Sequence, residues 1–256
     1  MSDSVNIIGA GGHARPVIQL LQHLGCFIGG VYDQSYDPAV KERILQVEIK
    51  GAFPDKSDDQ KLVLAIGDND QRRMVFEIHR AAILKDSIVH PAALIEPSSQ
   101  IGQANVIFAR AYLSSMANIG DNNIINAGAI IEHESIIGSH CHVSVGAIVC
   151  GRVKIGDNCF ILENQTIQPN VQIGNNVMIW SGNHLGHGTI ISDHTYISSH
   201  VVISGNCVIG ERCFFGVNSS VKDRINIKAK TTEKLGVIGK EKAIACEVIT
   251  SVIKYG

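Results

Sequence analysis

Residues 119–161 read IGDNNIINAGAIIEHESIIGSHCHVSVGAIVCGRVKIGDNCFI, and an aliphatic side chain returns at every sixth position. The same phase holds over 24 hexads without a miss, which a run of ordinary short strands does not explain. The residues in phase are Val89, Ile95, Ile101, Ile107, Leu113, Ile119, Ile125, Ile131, Ile137, Val143, Val149, Ile155, Ile161, Ile167, Ile173, Ile179, Leu185, Ile191, Ile197, Ile203, Ile209, Phe215, Val221 and Ile227. A period of six fits neither an α-helix nor an alternating strand. It predicts an all-β, left-handed parallel β-helix of hexapeptide repeats, with three hexads to a coil and about eight coils.

Composition makes several kinds of partner improbable. The chain has 256 residues, of which 45% are hydrophobic and 18% charged, and its net charge is −2. This balance gives no electrostatic reason to expect nucleic acid or an anionic membrane surface as a partner. No apolar run approaches the roughly 20 residues that span a bilayer, and no signal peptide is visible. The seven cysteines include no Cys-x-x-Cys pair, so we expect reduced thiols and a cytoplasmic protein.

The N-terminal segment has a different pattern, typical of a small Rossmann-like α/β unit. A strand at Val5–Ile8 runs into a glycine-rich turn at residues 9–14 and then a helix over about 16–24. A second strand at Phe27–Tyr32 ends at Asp33. A third strand at Leu62–Ile66 precedes a helix over about 71–84. The order strand, glycine-rich turn, helix, strand, acid is that of nucleotide-binding α/β folds.

These patterns divide the chain into three parts. We predict an α/β domain at residues 1–87, a β-helix at residues 88–230 and a C-terminal cap at residues 231–256. The cap is expected because the open end of a solenoid needs cover.

The glycine-rich turn and Asp33 are the candidates for nucleotide binding. Backbone N–H groups of Gly11, Gly12 and His13, at the start of a helix, are suited to cradle a phosphate. Asp33 is placed to accept a hydrogen bond from a ribose hydroxyl. The turn alone is a weak signal, and a plain strand-to-helix turn explains it equally well.

Two histidine sites in the repeats follow one template. His187 lies 54 residues, or three coils, after His133, so both occupy one edge of the prism, about 14 Å apart. Each has a glycine one coil later, Gly151 and Gly205. A histidine can remove a proton from a nucleophile, and a glycine N–H can stabilise an oxyanion, as acyl transfer requires. The alternative for any single histidine here is a solvated corner residue or a subunit contact.

At this point the chain resembles a known family, the hexapeptide-repeat acyltransferases. These proteins use this β-helix, act as trimers and bind coenzyme A between neighbouring subunits. Within them it is most similar to bacterial amino-sugar N-acetyltransferases of the bacillosamine type, grouped with so-called sialic acid O-acetyltransferases. The similarity covers roughly residues 5–175. It rests on Gly9-Ala10-Gly11-Gly12-His13, Tyr32-Asp33, Ala65-Ile66-Gly67-Asp68-Asn69 followed by Arg72, Ile131-Glu132-His133-Glu134, His142-Val143-Ser144-Val145-Gly146-Ala147 and Gly151.

The resemblance implies a reaction and a set of site residues. It implies N-acetylation of a nucleotide-linked amino-deoxy sugar, with a 4-amino-4,6-dideoxy sugar expected, for surface glycan (O-antigen) biosynthesis. Acetyl-CoA would be the co-substrate, with no metal. The implied substrate-binding residues are Gly11, Gly12, His13, Asp33, Asn69 and Arg72. His133 would be the base, supported by Glu134 and Asn126, while His142 and the Gly151 N–H would contact the acetyl thioester.

The chain departs from this family in two respects. Three further coils resemble a second branch of the superfamily, in which the last histidine of the motif, here His187, is the catalytic one. The usual Gly-x-Pro-Ala ending, which helps shape the adenine end of the coenzyme A site, is missing. We favour His133, because 43 residues separate it from His90 at the start of the solenoid, whereas His187 lies three coils further from the α/β domain. A second site at His187 and Gly205, with a different acceptor, stays open.

Three rival functions follow from the same residues. The same chemistry on a hydroxyl would make the protein a sugar O-acetyltransferase. A metalloenzyme of the γ-carbonic anhydrase type needs histidines at n, n + 36 and n + 41, but from His133 these positions hold Pro169 and Gly174. From His142 they hold Met178 and Asn183, so the metal spacing fails. The third rival is a purely structural solenoid with a vestigial nucleotide domain.

Overall fold

The computed structural model describes residues 4–37, 39, 43–52, 61–222 and 225–227, so the predicted cap at residues 231–256 lies outside the described residues. The N-terminal elements are β1 (Val5–Ile8), α1 (Ala14–His23), β2 (Ile28–Tyr32), β3 (Arg43–Ile44), β4 (Val47–Gly51), β5 (Lys61–Leu64) and α2 (Asn69–Ile78). They form a five-stranded sheet in the order β3-β4-β2-β1-β5. All neighbours in it are parallel except β3 and β4. Strand β1 lies between β2 and β5, so the glycine-rich turn leaves the carboxyl edge of the sheet between these two strands, where open α/β sheets bind ligands.

Two details of this domain differ from the sequence prediction. Helix α2 ends at Ile78 instead of continuing to residue 84. The chain turns there because the buried Ile83 forms a parallel bridge with Leu62 beside β5. The hairpin β3–β4 was not predicted, since its turn residues Leu45 and Gln46 adopt left-handed φ values of 47° and 70° without the usual Asn-Gly signal.

The repeats form a prism with three parallel faces of eight strands each, which confirms the left-handed β-helix and gives eight coils. The first face consists of β6 (Ile88–Val89), β9 (Val106–Ile107), β12 (Ile124–Ile125), β15 (His142–Val143), β18 (Phe160–Ile161), β21 (Met178–Ile179), β24 (Tyr196–Ile197) and β27 (Phe214–Phe215). The second face consists of β7 (Leu94–Ile95), β10 (Tyr112–Leu113), β13 (Ile130–Ile131), β16 (Ile148–Val149), β19 (Thr166–Ile167), β22 (His184–Leu185), β25 (Val202–Ile203) and β28 (Ser220–Val221). The third face consists of β8 (Gln100–Ile101), β11 (Asn118–Ile119), β14 (Ile136–Ile137), β17 (Lys154–Ile155), β20 (Gln172–Ile173), β23 (Ile190–Ile191), β26 (Val208–Ile209) and β29 (Asn226–Ile227).

Each two-residue strand directs its second side chain inward and its first outward. The inward residues of the hexad series form one continuous core cluster. Burying one such isoleucine contributes about 1.5–3 kcal/mol. Every strand pairs with the strand 18 residues away, as Ile131 does with Leu113 and Val149. This fixed register decides which side chains share an edge of the prism.

The three corners of the prism turn through left-handed residues. The first corner joins the first and second faces, the second corner joins the second and third faces, and the third corner returns to the first face. At the third corner Asn122, His140 and Asn158 have φ of 55°, 62° and 59° in successive coils. Asparagine tolerates this conformation better than most residues, which explains its frequency at the corners.

The α/β domain packs on the first face and the third corner. The outward residues Ile88, Val106 and Ile124 are buried in one cluster with residues of α1 and the N-terminal sheet. At the third corner, Nδ2 of Asn158 donates to Asp70 at the start of α2, at 2.7 Å. The carboxyl edge of the N-terminal sheet therefore lies beside the middle coils of the solenoid. Neither helix in the described part of the chain is long and apolar enough to cross a membrane.

Candidate functional site

A cavity of about 400 Å³ opens where β1 and β5 end. It is lined by Ile8, Gly9, Gly11, Gly12, His13, Asp33, Gln34, Ala65, Ile66, Gly67, Asp68, Gln71, Met74 and Val75. A Cβ added to Gly11 or Gly12 would meet no atom within 4 Å, so these glycines leave the turn open to a ligand. The cavity has the size and position of a nucleotide site at the switch point of a parallel sheet.

Asp33 fastens the glycine-rich turn at the edge of this cavity. Its Oδ2 accepts a hydrogen bond from the Ala10 N–H at 2.6 Å, and its Oδ1 accepts from the N–H and hydroxyl of Ser35. Burial alone would raise the pKa of Asp33, but the hydrogen bonds from Ser35 and Ala10 bring it below its usual value. Asp33 is thus ionised at neutral pH and retains lone pairs for a ribose hydroxyl. Its contact with Ala10 was not predicted from the sequence.

Two buried histidines meet where the α/β domain contacts the solenoid. The rings of His13, which precedes α1, and His142, the outward residue of β15, are 6.0 Å apart. Nε2 of His13 and both ring nitrogens of His142 have no hydrogen-bond partner among the described residues. Burial, aided by Arg72, lowers the pKa of His13 to about 4. Burial, aided by Arg72 and His13, lowers the pKa of His142 to about 3.

Asn69 and Arg72, which the resemblance implies to be substrate-binding residues, do not line this cavity. Both side chains are buried between α2 and the solenoid. Asn69 Nδ2 donates to the Cys159 carbonyl at 3.0 Å, and its Oδ1 accepts from Arg72 at 2.7 Å. Both motif residues serve the contact between the domains. A motif alone does not distinguish this role from a binding role.

His133 lies on the second corner, next to a gap left by a glycine. A Cβ on Gly151, one coil on, would lie 2.5 Å from Nε2 of His133, so the imidazole rests directly over the Gly151 Cα. No acceptor for the Gly151 N–H occurs in the part of the chain that the structure describes. The corner thus offers a ring nitrogen and a free N–H side by side, the pair that acyl transfer requires.

The carboxylate of Glu134 orients the His133 ring. Its Oε1 is 3.2 Å from Nδ1 of His133, and its Oε2 accepts from Nε of Arg152 at 3.2 Å. The hydrogen bonds from Arg152 and His133 lower the pKa of Glu134, so it is ionised at neutral pH. A carboxylate at Nδ1 holds the proton there and leaves Nε2 as the basic nitrogen. Sequence reasoning missed Arg152, although the 18-residue register that places Gly151 over His133 also places Arg152 over Glu134.

The upper site at His187 has the same glycine gap but different partners. A Cβ on Gly205 would lie 2.5 Å from Cε1 of His187. Nδ2 of Asn206 lies 3.2 Å from Nε2 of His187, and an amide N–H there occupies that nitrogen. The residue after His187 is Gly188, which supplies no carboxylate. The two sites therefore share a backbone template and differ in which imidazole nitrogen is free.

The predicted site residues fall into two groups within one chain. The pocket half-site comprises the cavity, His13 and Asp33 of the α/β domain, and His142 on the first face of the prism. The corner half-site comprises His133, Glu134, Gly151 and Arg152 on the second corner, the edge opposite the first face.

Asn126 does not lie beside His133. It is on the first corner, next to Ala127, which packs against the core of the α/β domain, and its Oδ1 accepts from the Ala127 N–H at 2.8 Å. Within one chain, Asn126 is thus on the same side of the prism as the pocket half-site.

No cluster of three or more His, Cys, Asp or Glu side chains suited to a metal ion occurs among the described residues.

Two family models match the chain, one in each of its two main parts. Residues 4–78 match the PglD N-terminal domain, and residues 152–187 match the bacterial transferase hexapeptide (six repeats). The resemblance to hexapeptide-repeat transferases with this N-terminal domain, predicted from the sequence, is thereby confirmed.

Two solved structures are similar to this chain over most of its length, and a third is similar over about half of it. A perosamine N-acetyltransferase from Caulobacter crescentus, in complex with CoA and GDP-perosamine, is 22% identical with a TM-score of 0.55, over 89% of this chain and 93% of that one. The acetyltransferase domain of PglB from Neisseria gonorrhoeae, in complex with acetyl coenzyme A, is 22% identical with a TM-score of 0.54, over 90% and 97%. UDP-N-acetylglucosamine O-acyltransferase from Moraxella catarrhalis is 23% identical with a TM-score of 0.53, over 55% and 62%. At these identities the similarity establishes the fold.

Curated relatives match only a short segment. A stretch of 31 residues, 12% of this chain, is 90% identical to the bifunctional enzyme IspD/IspF of Pelagibacter ubique. A stretch of 32 residues is 56% identical to 2-C-methyl-D-erythritol 2,4-cyclodiphosphate synthase of Proteus mirabilis. The chain spans 8% and 20% of the length of these proteins, and we assign no function from them.

Proposed function

We propose that the protein is an acetyl-CoA-dependent N-acetyltransferase whose acceptor is a nucleotide-linked amino-deoxy sugar. The observation that carries this proposal is the corner half-site, where Glu134 holds Nδ1 of His133 and the Gly151 N–H is free. The cavity in the α/β domain supplies a place for the nucleotide. The similar protein from Caulobacter crescentus binds CoA and GDP-perosamine, a nucleotide amino sugar, and this supports the same pair of substrates here.

In the proposed reaction the sugar amine attacks the carbonyl carbon of the acetyl thioester. A C–N bond forms, Nε2 of His133 takes the amine proton, and the Gly151 N–H donates to the developing oxyanion. Collapse of the tetrahedral intermediate breaks the C–S bond and expels the thiolate of coenzyme A, which receives the proton from His133. The products are the N-acetylated sugar nucleotide and free coenzyme A, so atoms and charges balance.

The placement of the two half-sites on opposite sides of the prism favours a site completed by a second copy of the chain. The outward side chains of the second face include the exposed apolar residues Leu94, Ile148 and Val202. We propose that this face packs against a neighbour in a homotrimer. The corner half-site of one chain would then meet the pocket half-site and Asn126 of the next, with His142 close to the bound acetyl group.

An acetyl-CoA turnover assay across UDP-, dTDP- and GDP-linked 4-amino-4,6-dideoxy sugars tests the proposal. We expect release of coenzyme A, and an added acetyl group on the sugar nitrogen, with at least one of them. Matched sugars that carry a hydroxyl in place of the amine are the control, and turnover of those alone would make the protein an O-acetyltransferase. Absence of turnover with every sugar nucleotide would contradict the proposal. The proposal also includes a role in surface glycan (O-antigen) biosynthesis and a cytoplasmic location.

A further inference from the structure

Arg72 is the largest side chain buried to less than 2% exposure in the described part of the chain, and it lies between the two domains. Its guanidinium donates to six oxygen atoms. Two belong to the loop after β5, the carbonyls of Ile66 at 3.2 Å and Gly67 at 3.3 Å. One is Oδ1 of Asn69 at 2.7 Å.

The other three acceptors are carbonyls of the solenoid. Arg72 reaches Asn122 at 3.2 Å, His140 at 2.8 Å and Cys141 at 3.2 Å, on two successive coils of the third corner. Nε and both terminal nitrogens are all engaged. Only arginine presents so many donors in one rigid plane; a lysine ammonium has three and no fork.

The carbonyls need this partner because the α/β domain covers them. Those of Ile66, Asn122 and His140 accept from no other group within the described residues. Corner carbonyls can face solvent, but here the water is displaced, and a buried carbonyl without a donor is destabilising. Burial lowers the pKa of Arg72 to about 10, so it is charged at neutral pH, and charged donors form the stronger hydrogen bonds.

The two groups of acceptors belong to the two sides of the pocket half-site. Ile66 and Gly67 line the cavity. Cys141 directly precedes His142, whose ring lies beside His13 at the other side. We infer that Arg72 is a positioning residue that holds the cavity wall at Ile66–Gly67 in register with the strand of His142, so that both domains present the sugar nucleotide as one body. The expected effect on turnover rests on the proposed function. The coupling between the Ile66–Gly67 wall and the strand of His142 does not depend on that function.

Arg72→Gln and Arg72→Lys test the inference, with Arg73→Gln as the matched control. Arg73 is the next residue of α2, half-exposed, and forms an ion pair with Asp70 at 3.5 Å. We expect Arg72→Gln to raise KM for the sugar nucleotide about tenfold, the effect of losing a hydrogen bond to a charged group, with KM for acetyl-CoA unchanged. Arg72→Lys should restore part of the loss, and Arg73→Gln should change neither KM. Equal increases in both KM values, or a lower kcat alone, would overturn the inference.

Hydrogen exchange provides a readout that does not need turnover. In Arg72→Gln, peptides covering residues 62–68 and 138–144 should both exchange faster than in the wild type, and those in Arg73→Gln should not. Faster exchange in only one segment would show that Arg72 does not couple them. If Arg72→Gln does not fold, Asn69→Ala replaces it. This variant removes one acceptor of Arg72 and leaves the guanidinium in place, and the same exchange measurements are made on it. A wild type without turnover would contradict the proposed function, and the exchange experiment would then decide the inference alone.

Discussion

At His133 and His187 the two imidazoles differ in which nitrogen is engaged. Glu134 holds Nδ1 of His133, whereas the amide of Asn206 lies at Nε2 of His187. A base must present an unprotonated and unoccupied nitrogen to the nucleophile. The structure thus adds a chemical reason for preferring His133 to the reason of distance along the chain.

We therefore expect His133→Ala to lower kcat by about 10²–10⁴-fold, the usual effect of removing a general base, with KM for the sugar nucleotide nearly unchanged. His187→Ala is the matched control and should leave kcat close to the wild-type value. Steady-state kinetics at saturating acetyl-CoA measures both. A large loss in His187→Ala with a mild effect of His133→Ala would move the active site to the upper coils.

Asp33 gives a second prediction at this scale. Asp33→Ala should raise KM for the sugar nucleotide much more than KM for acetyl-CoA, since the carboxylate also holds the glycine-rich turn through Ala10. Ser35→Ala, which removes one donor to Asp33 and leaves the carboxylate, should have a smaller effect. Equal increases in both KM values would mean that the cavity does not hold the nucleotide.

His13 and His142 make stability depend on pH. In the unfolded chain a histidine binds its proton near pH 6.5, but in the folded protein these two bind theirs only near pH 4 and pH 3. Between those values the unfolded state holds more protons, so the free energy of unfolding decreases as pH falls from about 6.5 to about 4 for His13 and to about 3 for His142. The slope is up to about 1.4 kcal/mol per pH unit for each histidine.

Urea unfolding between pH 7 and pH 4 measures this slope. His142→Gln should reduce it by the contribution of about one proton, and His187→Gln, which changes an exposed side chain, is the control. An unchanged slope in His142→Gln would show that the ring is accessible to solvent.

Among elements, the corners of the prism decide how the histidine sites are built. Gly151→Ala would place a Cβ 2.5 Å from Nε2 of His133 and push the ring away from its position. We expect a loss in kcat of about 10²-fold, because a misplaced base loses most of its effect.

The thermal midpoint of Gly151→Ala should change little, since the half-exposed ring can move into solvent. Gly205→Ala creates the same contact with His187 and should leave kcat unchanged. Full activity in Gly151→Ala would show that the ring is not used in the position seen here.

Regular elements were predictable, and the irregular ones were not. The hexad phase predicts which residue of every strand points inward, from Val89 to Ile227, because a side chain in phase must fill the prism. The same register places Gly151 over His133. The hairpin β3–β4 and the end of α2 depend on tertiary pairing with β2 and Leu62, which no local pattern records.

The contacts of Arg72 with the solenoid were also beyond prediction, because binding residues and residues that join domains have the same polar composition. Only the packing of α2 on the third corner distinguishes them.

At the scale of the whole molecule, the proposed site shared between chains predicts a homotrimer. Light scattering should give about three times the chain mass of 27.6 kDa. The apolar residues of the second face, Leu94, Ile148 and Val202, provide the variant: Ile148→Lys should shift the mass towards that of one chain and abolish turnover. A wild-type monomer with full activity would contradict the shared site.

Mixing two impaired variants, assayed at a sugar-nucleotide concentration far below the KM of Asp33→Ala, distinguishes a shared site from a site within one chain. Chains with His133→Ala and chains with Asp33→Ala, refolded together in equal amounts, should recover about a quarter of the wild-type sites, since each site draws its halves from different chains. Each variant refolded alone is the control. No recovery in the mixture would place both halves in the same chain.

The 18-residue register means that the prism can grow or shrink only by whole coils if its faces are to be kept. Inserting one whole coil of 18 residues moves the rest of the prism along its axis by about 4.8 Å and leaves each face unchanged, whereas a shift of one or two hexads within the repeats would move every later strand to another face. The separation of His133 from His187 can therefore change only in such steps. Removing residues 163–180 would bring the two histidines within two coils of each other and would leave all four residues of the corner half-site in place. In a solenoid of this kind the number of residues between two sites on one edge therefore gives their distance along the axis, at about 4.8 Å for every 18 residues.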